Sequence, residues 1–352
     1  MLTATPAVLG FIGLLVGSNG EKLVRMAISP QRITPCDPTS VQLVAHLKVD
    51  DHEVFPLVDT QSPNTFFIWE KWLEDEFPGR CAELLFKCYE CNPGPCTGGP
   101  LTDVETLDKV EVGIFKHSGR VYFKPGGDVF ADGIEFGLVA EAEGPPYASL
   151  VQQLIQQPEP QRLIESEAFS VYLTAGENPS GELILGGKDQ GKYIGPLQNV
   201  LVVNQGNQVS FVASFGIGDV TKNRVFVGEP GLFDTGSNVL VMPWDIAGHA
   251  LHWLETAGQA SVTIREDRGF FEISCQDAKY LPSITYFMEA WNGEEVPLEI
   301  PSTSYVYKKT EAICILAITF RDRWILGLPA LIGHYFLYDW QNGQIGFAKV
   351  SV

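Results

Sequence analysis

One short phrase occurs twice. Phe233-Asp234-Thr235-Gly236-Ser237-Asn238 is echoed by Val58-Asp59-Thr60-Gln61-Ser62-Pro63-Asn64, 234 − 59 = 175 residues earlier. Asp-Thr-Gly-Ser arises by chance in a chain of this size with an expectation of about 1% or less, and a near-copy lowers it further. A single copy would read as a helix N-cap or an Asx-turn. Two copies read as one device used twice, which constrains the fold to two comparable halves.

The surrounding pattern fits. Residues 41–58 alternate apolar and polar side chains through VQLVAHLKV, turn at Asp50-Asp51-His52 and run through VFPLV into Asp59, as a β-hairpin does. Residues 208–217 and 225–227 are strand-like, and Gly231-Leu232-Phe233 leads into Asp234. Both aspartates therefore sit where an apolar strand breaks into a turn. With 35 glycines and 23 prolines, the 352 residues favour many short strands and turns, so the expected class is all-β with two lobes. Helical periodicity is confined to 145–157 and 244–257. His249 and His252 in the latter lack a third ligand nearby and read as a surface or groove pair. The stretch 180–203 reads as short strands with glycine turns, and the domain junction is placed at Asn204 to Asn207. The expected organisation is a leader at 1–20, a short segment at 21–40, a lobe at 41–204 carrying Asp59 and a lobe at 205–352 carrying Asp234.

Two strand-end aspartates facing each other across a groove are too close for both to ionise. Like charges in contact split their titrations, so one proton is shared over a wide acidic range. One carboxylate can then take a proton from a trapped water while its protonated partner donates to a substrate carbonyl. Such a pair hydrolyses an amide with no covalent intermediate and no metal or cofactor.

Charge excludes other classes. The chain carries 43 acidic and 24 basic side chains, a net −19, which repels nucleic acid and anionic membrane surfaces and is compatible with work in acid. The same charge also serves solubility alone. No serine-hydrolase elbow, phosphate-binding loop or dinucleotide fingerprint is present. The apolar run from Ala7 to Val16, followed by Gly17, Ser18 and Gly20, suits a secretory leader, and no stretch is long enough to span a membrane. The expected location is outside the cell or in the secretory or acidic vesicular pathway. Seven cysteines then point to disulfides. Cys81, Cys88, Cys91 and Cys96 cluster, Cys275 and Cys314 can pair only with each other unless the halves are cross-linked, and Cys36 makes the count odd. The Cys88 to Cys91 step is also a zinc-ligand spacing, although the cluster matches no common finger.

From Val41 onward the chain resembles the pepsin-like aspartic peptidases. FDTGSNVLVMP (233–243), AFSVYL (168–173), GELILGGKD (181–189), CQDAKYLPSITY (275–286) and WILGLPALIGHYFLYDWQNGQIGFAKV (324–350) carry the likeness. The resemblance implies a bilobal β fold working as a monomer, with Asp59 and Asp234 as the catalytic pair and a peptide or protein substrate in the inter-lobe cleft. It implies that Thr60 and Thr235 bond across the two loops, that Ser62 and Ser237 bond the outer carboxylate oxygens, and that Gly236 lines the second loop. It implies too that each loop rests on a hydrophobic-hydrophobic-glycine step: Ile325-Leu326-Gly327 for the second, Glu135-Phe136-Gly137 for the first, where Glu135 departs from the pattern. A flap tip is expected at Cys96, Thr97, Gly98 and Gly99, with Cys96 in place of the family's tyrosine and Phe66 in place of its tryptophan partner.

Gln61 departs most. The family has glycine there for close approach and positive φ, and a glutamine brings a side chain beside the water. Lys22, Arg25 and Arg32 are too few for a basic inhibitory prosegment. The expected function is an aspartic endopeptidase, with Gln61 pointing to reduced activity; the alternative is an impaired homologue that binds a peptide or protein.

Overall fold

The computed structural model describes residues 22–32, 40–49, 52–61, 66–68, 70–83, 87–88, 103–107, 110–115, 121–123, 129–131, 135–137, 150–156, 158–159, 162–176, 178–203 and 209–351. The leader at 1–20, Cys36, Ser62, Cys91, the flap residues Cys96, Thr97, Gly98 and Gly99, residues 145–149 and the junction Asn204 to Asn207 lie outside them.

Strands dominate. One nine-stranded sheet runs in the order Glu135–Gly137, Leu57–Asp59, Val41–Ala45, Val24–Arg32, Gly181–Leu185, Ala168–Leu173, His334–Asp339, Gln344–Val350, Tyr193–Leu201. A seven-stranded sheet runs Glu295–Ile300, Ile284–Glu289, Val209–Ile217, Arg224–Phe233, Trp324–Leu326, Leu240–Pro243, Ile318–Arg321. The period-two pattern is most direct in Glu295–Ile300, where exposed and buried residues alternate strictly. Pro297 is tolerated there because the strand lies at the sheet's edge. By contrast all six residues of Ala168–Leu173 are buried, which explains why AFSVYL carries almost no polar alternation.

Helices are short. The apolar stretch at 145–157 yields a helix over Leu150–Gln156 within the described residues, and 244–257 yields a 3-10 turn, Trp244–Ile246, leading into the helix Ala247–Thr256. That helix buries Ala250 and Leu254 and leaves His249 and His252 exposed, with the His249 ring 5.4 Å from that of Trp253. Disulfides join Cys81 to Cys88 and Cys275 to Cys314. The first bond takes two sulfurs out of any zinc set in the cysteine cluster. Among the described residues no helix is long and apolar enough to cross a membrane, and no group of three or more His, Cys, Asp or Glu is placed to hold a metal ion.

The segment before Val41 is structural. Val24–Arg32 pairs antiparallel with Gly181–Leu185 through Val24 to Ile28 and with Val41–Ala45 through Ile28 to Arg32. Val24, Met26 and Ile28 point into the core, and the intervening Arg25 makes ion pairs with Glu182 at 3.0 Å and Asp189 at 2.7 Å. Burial opposes charge on Asp189, but the Gly191 N–H and the Arg25 guanidinium outweigh it and hold its carboxyl below the usual range. Its contribution to stability is thus present above the ordinary carboxylate pKa and is lost as pH falls through the lowered folded value. Arg25→Ala removes the cation shared by both carboxylates, leaving Glu182 with Lys192 at 3.3 Å and Asp189 with the Gly191 N–H, and urea unfolding at neutral pH should show a loss of about 1 kcal/mol.

Candidate active site

Each aspartate leaves its strand in the same way. Leu57–Asp59 runs parallel to Glu135–Gly137, with Asp59 opposite Gly137. Arg224–Phe233 runs parallel to Trp324–Leu326, with Phe233 opposite Leu326, and the Asp234 N–H donates to the Leu326 carbonyl at 3.1 Å. Asp234 is therefore level with Gly327, as Asp59 is with Gly137. At Gly327 the glycine provides room: a Cβ would stand 2.3 Å from the Val239 carbonyl oxygen and 2.5 Å from that of Ser237. The turn after Asp234 folds directly onto that backbone, and the Leu328 N–H donates to the Ser237 carbonyl at 2.7 Å.

The two loops are fastened to each other by a reciprocal exchange. The Thr60 N–H donates to Thr235 Oγ1 and the Thr235 N–H to Thr60 Oγ1, each at 3.1 Å. Each hydroxyl then passes its own proton onward, Thr60 to the Phe233 carbonyl at 3.0 Å and Thr235 to the Val58 carbonyl at 2.7 Å. Thr60 is fully buried and Thr235 nearly so. Valine would match the shape but lose both roles of the hydroxyl, so the residue type follows from the need for an acceptor and a donor on one small side chain.

The carboxyl groups are held by matching amides. The Gln61 N–H donates to Asp59 Oδ1 at 2.7 Å, and the Gly236 N–H to Asp234 Oδ1 at 2.9 Å. Asp59 also reaches the opposite loop: a Cβ on Gly236 would lie 2.7 Å from its Oδ2 and 2.8 Å from its Cγ. The glycine in the second loop thus makes room for the carboxyl of the first, inside ordinary contact distance. Neither Gln61 nor Gly236 has positive φ, so backbone conformation is not what favours glycine here; space is.

Two details differ from expectation. The Ser237 hydroxyl donates to the Val239 carbonyl at 3.0 Å instead of the carboxylate of Asp234, because its single proton is used in closing the turn. The Gln61 side chain swings across the interface, its Nε2 donating to the Phe233 carbonyl at 2.9 Å. One residue escaped the sequence reading. Tyr338 is buried, stacks on Phe169 at 4.6 Å and lies close enough to both loops for each to affect its phenol. Burial pushes that phenol up, the Thr60 hydroxyl opposes this and the charge of Asp234 adds to it, so Tyr338 is neutral in acid. Its only signal was an aromatic in the apolar run HYFLYD, which reads equally as core.

The arrangement can keep two carboxyl groups in one niche, each holding an N–H of its own loop. Comparison with known proteins agrees with it. The family described as eukaryotic aspartyl protease matches residues 131–350, which include Asp234, Gly236 and Gly327; Asp59 lies upstream of the match and enters the site through its hydrogen bonds. Gastricsin from Cavia porcellus is 28% identical over 273 residues, covering 74% of this chain and 65% of the relative. Gastricsin from Macaca fuscata fuscata is 28% identical over 196 residues, 53% of this chain and 49% of the relative, and pepsin-2B from Gadus morhua is 27% identical over 198 residues, 54% and 56%. The chain spans about half the length of the gastricsin from Macaca fuscata fuscata and of the pepsin-2B. Since the match takes in well over half of the sequence and the strands are arranged as described, this chain belongs to the eukaryotic aspartyl protease family and has its two-lobed, mostly β fold.

Proposed function

We propose that the chain is an aspartic endopeptidase that hydrolyses peptide bonds with Asp59 and Asp234 as its acid and base. The reading is supported above all by one observation: the Asp59 carboxyl packs against Gly236, whose N–H holds Asp234 Oδ1. Two carboxyl groups brought that near share a proton, which is the state that activates a water and protonates a carbonyl in turn. An extended peptide or unfolded protein is the substrate class, the protein acts as a monomer, and the Cys81–Cys88 and Cys275–Cys314 disulfides suit the oxidising secretory pathway or an acidic vesicle.

Gln61 favours a second reading, a homologue in which the same cleft binds a peptide without cutting it. The folded chain should cleave a denatured protein between about pH 3 and 5, with activity declining toward neutrality as the shared proton is lost. A peptide carrying a statine-type mimic of the tetrahedral state should inhibit it. Statine binding without cleavage at any pH would favour the second reading, and neither binding nor cleavage would remove both.

A further inference from the structure

We propose that Gln61 is a positioning residue whose carboxamide clasps the peptide group carrying Asp234, steadying the second carboxyl instead of obstructing the water. The proposal rests on the hydrolytic reading above. Its backbone has the same task as that of Gly236: the N–H at position 61 serves Asp59 as the N–H at 236 serves Asp234. The side chain is the addition, and the structure shows where it goes. Nε2 donates to the Phe233 carbonyl, which also accepts the Thr60 hydroxyl at 3.0 Å. Both lone pairs of that oxygen are thus met by donors from the first loop.

The Phe233–Asp234 peptide group is therefore held at both ends. Its carbonyl is gripped by Thr60 and Gln61, and its N–H donates to Leu326 from the strand beneath. Among the described residues, the counterpart carbonyl in the other loop has a single side-chain donor. The Val58 carbonyl accepts the Thr235 hydroxyl, and Gly236 has no side chain that could add a second donor. The pair of loops is asymmetric, with the additional bond on the side of Asp234. A side chain engaged in this way is not free to swing over the carboxyls. Because Asp234 is attached to the clasped peptide group, loosening the clasp spreads its carboxyl over more positions and lowers the population in productive geometry.

The experiment compares wild type with Gln61→Ala, Gln61→Gly and Gln61→Glu. Turnover of a peptide at pH 3.5 should fall about tenfold in the alanine and glycine variants, the size expected for one lost hydrogen bond, with KM within about twofold. Gln61→Glu supplies a separate check. Its protonated carboxyl donates to the Phe233 carbonyl in acid and loses that ability above the ordinary glutamate pKa of about 4.3, so turnover should approach wild type at pH 3 and drop more steeply than wild type above pH 5. A rise in kcat in the glycine or alanine variant would overturn the proposal, as would unchanged turnover in both. The 15N shift of the Asp234 amide, which shares the peptide group with the Phe233 carbonyl, gives a readout free of activity. It should move in Gln61→Ala, and an unmoved shift overturns the clasp. If the shift moves while wild type neither cleaves nor binds the statine peptide, the hydrolytic reading is lost and the clasp remains.

Discussion

Asp234→Asn is expected to reduce peptide turnover in acid by about 10³- to 10⁴-fold with the fold intact. The change is nearly isosteric, and the amide oxygen of asparagine can still accept the Gly236 N–H, now 2.9 Å from Asp234 Oδ1. What disappears is the second titrating group. Without it no proton is shared, Asp59 titrates alone, and the site has either a base or an acid but not both at once. Turnover should be measured beside circular dichroism and thermal unfolding, which should match wild type. Activity surviving in the folded variant would assign the hydrolysis to other groups.

A second large effect concerns acid itself. His334 opens the strand His334–Asp339 with 4% of its surface exposed, and its pKa is pushed down to about 4. Burial is the main cause and the charge of Lys349 adds to it; the carbonyls of Ala330 and Ile332 and the charge of Glu299 pull the other way. The unfolded chain binds this proton near pH 6.5, well before the folded chain does. Stability at this residue is therefore complete above pH 6.5 and declines as pH falls toward 4, by about 3 kcal/mol in all. His334→Phe should remove that slope, leaving the variant less acid-sensitive than wild type in urea unfolding at pH 4 and 7. The ring already neighbours Phe336 at 6.3 Å, so an apolar replacement meets apolar company. Equal slopes for variant and wild type would show that the histidine is not the cause. On the proposed hydrolytic reading, the residue limits work in acid, because the low pH that such a mechanism uses also weakens the fold at this strand.

The aspartate loops could be read from residues alone because strand, turn and hydroxyl each leave a mark at fixed spacing. Asp59 and Asp234 stood out in this way, whereas the task of the two threonines and the Ile325-Leu326-Gly327 step came from the family resemblance. The role of Val24–Arg32 was missed although Val24, Met26 and Ile28 follow a period of two. Lys22, Arg25 and Arg32 were weighed only as too few for an inhibitory prosegment, and the charges that neutralise Arg25 lie 157 and 164 residues away. The Ser237 hydroxyl and the Gln61 amide were placed on or beside the carboxyls because sequence gives a side chain's reach and not its direction. Each found a nearer backbone carbonyl. His334 looked like any histidine until Glu299 and Lys349, from other strands, were brought beside it.

The order of strands has a consequence for biosynthesis. Ala168–Leu173 lies between Gly181–Leu185 and His334–Asp339, so one of its flanks stays bare on the ribosome until some 160 further residues have been made. Throughout that interval an apolar edge is open to pairing with other chains. Late-made strands seal it, and a nascent chain stalled before residue 334 would carry a sticky margin that quality control can recognise.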